Sequence, residues 1–143
     1  MAKVRERVEA EFENIERVVA DLPESSLLSG LSSLELAGVA TLIHNFYNGV
    51  ENVLKQVIIA SGNELPDSAS WHQDLLAGAT SNNIISESTA KELKRYLAFR
   101  HFFSHGYSFD LDRERIAPLV EGIHKMMSSF KTDIDTAIDE ISD

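Results

Sequence analysis

The apolar residues of this chain recur every three or four positions, and nowhere do they alternate with polar ones. That period draws one face of an α-helix, whereas a half-buried strand needs a step of two. Val4, Val8, Phe12, Ile15, Val19 and Leu22 stand 4, 4, 3, 4 and 3 residues apart. They predict a first helix, closed by Pro23. Ser32-Ser-Leu-Glu35 has the spacing of a capping box. It opens a second stripe through Leu36, Val39, Ile43, Phe46, Val50, Val53 and Val57, with Gly62 as the expected stop. At about 30 residues and 1.5 Å per residue, this helix is long enough to be the rod of a bundle.

Residues 63–70 read as a connection, and Trp71 to Ala77 as a short helix followed by a small, polar stretch to Asn83. A third main helix begins near Ser86, carries Ala90, Leu93 and Leu97, and ends by His105 and Gly106. The last begins near Asp112 and runs through Ile116, Leu119, Ile123, Met126, Phe130, Ile134, Ile138 and Ile141. Pro118 either kinks it or marks its true start. The expectation is an all-α bundle of four main helices plus a short one. At 143 residues it forms a single domain over residues 1–143.

Composition narrows the function. Cysteine is absent, which removes disulfide scaffolds, thiol nucleophiles and thiolate metal sites. The formal net charge of −10 argues against a protein that coats duplex DNA or anionic membrane. No apolar run approaches the ~18 residues that cross a bilayer, and Met1-Ala-Lys-Val-Arg-Glu-Arg lacks a signal-peptide core. No membrane association and a cytoplasmic location are expected.

One stretch is chemically dense. From Lys91 to Tyr107, four cations (Lys91, Lys94, Arg95, Arg100) face one anion (Glu92), a local net of +3. The same stretch holds Arg100-His-Phe-Phe-Ser-His-Gly-Tyr107 and two of the five histidines. On a regular helix His101 and His105 lie about 40° apart, whereas Arg100 and His105 lie about 140° apart. The arginine and the second histidine therefore meet only if the helix frays at its end, or if each meets its counterpart from a second subunit. An arginine and a histidine with no evident carboxylate suit RNA cleavage. RNA carries its own nucleophile, the 2′-hydroxyl, and needs a base near neutral pH and a cation for the phosphorane. No metal or cofactor is required.

At these residues the sequence resembles the HEPN superfamily, whose signature R-x-x-x-x-H matches Arg100 and His105. The longer R-x-x-x-x-H-x-Y, completed by Tyr107, is similar to the HepT-like ribonuclease toxins of prokaryotic toxin–antitoxin modules. SWHQDLL (Ser70 to Leu76), LAFRHFFSHGYSFDLD (Leu97 to Asp112) and Ile116-Ala-Pro-Leu match one HepT-like branch in the same order. The resemblance covers residues 34–130.

It implies a HEPN-type bundle and a catalytic pair, Arg100 and His105, working in a cleft of a homodimer on RNA (tRNA or mRNA). His101 and Ser104 support the pair. They depart from the family, which often has asparagine and a basic residue at these positions. The resemblance further implies a partner, a minimal nucleotidyltransferase antitoxin that attaches AMP to Tyr107. Other readings stay open. His101 and His105 have metal-ligand spacing, with His44, His72, His124 or Asp110 to complete a set. His72 beside Trp71 reads as a packing or hydrogen-bonding element. Asn45, Asn48 and Glu51 line the cleft or form a solvated or interface face. The competing class is a non-catalytic helical module that binds a nucleotidyltransferase.

Overall fold

A computed structural model describes residues 2–105 and 111–142, all but the main chain being left aside for residues 2 and 142. Its elements are α1 (Ala2–Ala20), a 3-10 helix (Ser25–Gly30), α2 (Ser33–Ala60), α3 (Trp71–Ser81), α4 (Glu87–Ser104) and α5 (Arg113–Ser142). Among the described residues there is no strand. The expected all-α bundle of four long helices and one short one is the observed architecture. The expected stop at Gly106 lies outside the described residues.

The central rod is α2, which packs against all four other α-helices. Val4, Val8, Phe12, Ile15 and Val19 of α1 are buried, and so are Leu36, Val39, Ile43, Phe46, Val50, Val53 and Val57 of α2. Each large side chain so buried contributes roughly 1.5–3 kcal/mol of transfer free energy. The two helices approach closely at Gly49, where an added Cβ would stand 2.6 Å from Ile15 Cγ1.

The ends of α2 are fixed by local chemistry. Ser32 Oγ accepts the Glu35 amide at 3.1 Å, and the Glu35 carboxylate accepts the Ser32 amide at 3.0 Å. These bonds hold the Glu35 carboxyl below its ordinary pKa. At the other end Gly62 takes φ 83°. Its amide donates to Ile59 O, and the Asn63 amide to Ile58 O, closing a Schellman motif.

Two elements differ from expectation. The short helix continues through the polar stretch after Ala77 and ends at Ser81. Its polar residues satisfy themselves on the helix. Thr80 and Ser81 donate their hydroxyls to Leu76 O and Ala77 O, and Asn82 donates its amide to Gly78 O. Asn83 then takes φ 57° and ends the helix as a glycine would. The 3-10 helix is the second difference. Its carbonyl at Leu28 and that of Leu31, which caps it, accept the Arg113 guanidinium at 3.0 and 2.5 Å, tying it to the first turn of α5. Pro118 lies inside α5 and does not start it. Its position is exposed, as is that of Glu114, whose carbonyl loses a helical donor to the proline, so water can serve it.

Candidate functional site

Three helices converge on one polar network. His44, Asn48 and Glu51 stand four and three residues apart, on one face of α2. His72 comes from the first turn of α3 and Arg100 from the last turns of α4. Asn48 links two of them. Its Nδ2 donates to His44 Nδ1 at 3.3 Å, and its Oδ1 accepts from Arg100 Nε at 3.3 Å. Glu51 links the others, with Oε1 at 4.0 Å from Arg100 Nε and Oε2 at 2.6 Å from His72 Nδ1.

Glu51 is 3% exposed and is the one charged residue buried among those described. A carboxylate out of water is costly unless paired, so its two partners are a condition of its being there. His44 is held below its ordinary pKa, first by burial and then by the positive charge of Arg100. That keeps its Nδ1 an acceptor for Asn48. Nearby, Tyr47 is buried with its hydroxyl unpartnered among the described residues, and burial and Glu51 push the phenol far above its ordinary range.

The network holds Arg100 by Nε alone. Its two terminal nitrogens have no partner among the described residues, so the planar fork is left for an anion. Between α3 and α4 runs an open groove of about 1180 Å³, lined by His72, Lys91, Lys94, Leu97, Arg100 and His101 among others. The basic segment forms one wall of it.

His105 caps the C-terminal end of α4. Its Nδ1 donates to the His101 carbonyl at 2.6 Å, and the two imidazoles lie 4.1 Å apart. Ser104 donates its hydroxyl to the Arg100 carbonyl at 2.7 Å, securing the last turn. No contact joins Arg100 to His105 within the described chain. The structure therefore brings together His101 and His105, and separately Arg100 with Glu51, Asn48 and His72. Tyr107 lies outside the described residues, as does Asp110. Among the described residues no three histidine or carboxylate side chains gather as a metal site would require.

A family model described as HepT-like protein matches residues 38–141. The chain is a HepT-like protein. The match spans α2 to α5, and so every element that supplies the network. Comparison with curated proteins and with solved structures gives no match. Among the described residues of this HepT-like protein, no helix is long and apolar enough to cross a membrane.

Sequence reading placed Glu51 on a cleft or a solvated face and did not join it to Arg100 and His72. The signal was present, because Glu51 falls between Val50 and Val53 on a stripe that is otherwise apolar or uncharged. An acid in such a register is either paired or misplaced.

Proposed function

We propose that this HepT-like protein is a metal-independent endoribonuclease, the toxin half of a toxin–antitoxin pair, acting in the cytoplasm as a homodimer. The observation that carries this reading is the anchoring of Arg100 by Nε, with its fork free beside the groove and His105 at the end of the same helix. In the reaction the 2′-oxygen attacks phosphorus and the P–O5′ bond breaks. The 2′-hydroxyl proton goes to a base, and an acid protonates the departing 5′-oxygen. The products are a 2′,3′-cyclic phosphate and a 5′-hydroxyl. Arg100 neutralises the non-bridging oxygens as their charge grows. His105 moves a proton, as base at the 2′-oxygen or acid at the 5′-oxygen. His101 and Ser104 hold the turn that carries it.

Cleavage of RNA by purified protein in EDTA tests this. Arg100→Ala should lower kcat by about 10²–10³-fold. His105→Ala should lower it by about 10²–10⁴-fold. Two variants as active as the parent would end the reading. The proposed off-switch is attachment of AMP to Tyr107 by a nucleotidyltransferase antitoxin, which brings negative charge to an RNA site. Intact mass after co-expression should rise by whole AMP units, and Tyr107→Phe should abolish the rise.

The net charge of −10 favours a second reading, a non-catalytic module that engages the nucleotidyltransferase. Toxicity of the chain expressed alone fits the nuclease and not the module.

A further inference from the structure

We propose that His72, held by Glu51, is the general base of the RNA site, which leaves His105 as the acid. This rests on the ribonuclease reading above and adds a third catalytic residue to it. The Glu51 carboxylate can only accept, so the 2.6 Å bond fixes Nδ1 of His72 as the N–H. In the neutral ring Nε2 then carries the free lone pair. That nitrogen has no partner among the described residues, and the side chain keeps 23% of its exposure on the groove that Arg100 also lines.

The ring is held on a second side. Trp71 lies against it, tilted by 30° with 3.5 Å between centroids, and the Lys55 ammonium lies 4.3 Å from the Trp71 ring centre. An imidazole fixed at Nδ1 by a buried carboxylate and braced by an indole is organised for one task at Nε2.

Glu51 divides between two partners, and that division sets the roles. One oxygen faces Arg100 Nε at 4.0 Å and the other bonds His72, so one carboxylate joins the arginine and the imidazole that line the same groove. Nε2 takes the 2′-hydroxyl proton as the 2′-oxygen bonds to phosphorus. Glu51 compensates the positive charge that then arrives on the ring. Among the described residues the hydrogen-bond partner of His105 Nδ1 is the His101 carbonyl, a neutral acceptor. His105 gives its proton to the 5′-oxygen as the P–O5′ bond breaks, and the two histidines exchange net protonation over the step. Glu51 is a positioning residue, acting through His72 and Arg100.

The test uses an RNA oligonucleotide cut by the parent protein, and the same oligonucleotide with sulfur bridging at the 5′ position of the mapped scissile phosphate. A thiolate leaves without an acid, so the second substrate is indifferent to loss of the acid and sensitive to loss of the base. His72→Asn keeps a donor for Glu51 but has no Nε2, so its melting temperature should stay near the parent's. It should lose about 10²-fold or more in kcat with KM little changed, and the loss should persist on the sulfur substrate. The loss in His105→Ala should shrink on that substrate. Glu51→Gln, which still accepts from Nδ1 without the charge, should lower kcat on both substrates, and it replaces His72→Asn if that variant does not fold. Parental kcat in both position-51 and position-72 variants overturns the dyad and leaves the nuclease standing. Rescue of His72→Asn by sulfur overturns the base assignment. A parent that cuts no RNA overturns the nuclease reading and this proposal with it.

Discussion

The side chain on which the site turns is Arg100, and what matters is which of its nitrogens are occupied. Asn48 and Glu51 take Nε, so the fork is presented at fixed orientation with little rotamer entropy left to lose. The orientation depends in turn on a neutral His44, because only an unprotonated Nδ1 accepts from Asn48. His44 has its pKa lowered from 6.5 by burial, with Arg100 as the second cause. The unfolded chain therefore binds this proton more readily than the folded one. The associated stability is fully present above pH 6.5 and is lost as pH falls through the lower folded value. Thermal melts from pH 7.5 to about pH 5 should show the parent losing more stability than His44→Gln. Parallel curves for the two would remove His44 from the account. Tyr47 makes the opposite case. Its hydroxyl is buried without a partner among the described residues, so Tyr47→Phe sheds an uncompensated polar group. Urea denaturation should place the variant at or above the parent, by up to about 1 kcal/mol. A clear loss would mean that the hydroxyl has a partner in solution. The family spacing singles out Arg100 and His105 in the sequence, and the structure places Arg100 in the polar network with His105 outside it. Glu51 and His72 were not a pair on paper, since they are 21 residues apart and nothing local joins them.

At the scale of elements, the sequence was most readable where structure is set within a few residues. The apolar period of α1, α2, α4 and α5 and the caps at Ser32 and Ser86 all act over three or four positions. The end of α3 was less readable because small and polar residues suit either a loop or a helix. Here the stretch is helical, and its hydroxyls bond the preceding turn. The tie between Arg113 and the 3-10 helix spans 82 and 85 residues, and no local signal announces it. Close packing of α1 on α2 is the element-scale feature that most constrains the site, since it fixes the rod bearing His44, Asn48 and Glu51. Gly49 permits that approach. Gly49→Ala gains helix propensity of about 1 kcal/mol but drives a Cβ into Ile15, which is buried and cannot retreat freely. A net destabilisation of roughly 1–3 kcal/mol is expected by chemical denaturation. Ile15→Ala removes the clashing atoms, so the double variant should be less destabilised than the two single costs added together. Strict additivity would show that the helices do not meet at this point.

For the whole molecule, the proposed function joins charge to assembly. The net −10 is distributed as −13 around a +3 segment from Lys91 to Tyr107, so on the proposed reading attraction for RNA is confined to the groove wall. Few phosphate contacts imply a shallow dependence of binding on salt. Confinement also bears on how Arg100 and His105 cooperate, because along α4 they diverge by about 140° and make no contact within the described chain. In the proposed homodimer, a composite site would use the arginine of one subunit and the histidine of its partner. Twofold symmetry then places two such sites in each dimer. Arg100→Ala and His105→Ala subunits, each inactive alone, provide the test. Random exchange makes half the dimers mixed, and each mixed dimer holds one site with both groups intact and one with neither. The exchanged mixture should therefore recover about a quarter of parental activity. Rebinding without exchange should recover none, which controls for residual activity of either variant. If full exchange is verified by mass and the mixture stays silent, Arg100 and His105 act within one chain, and the end of α4 must rearrange on binding RNA to bring them together.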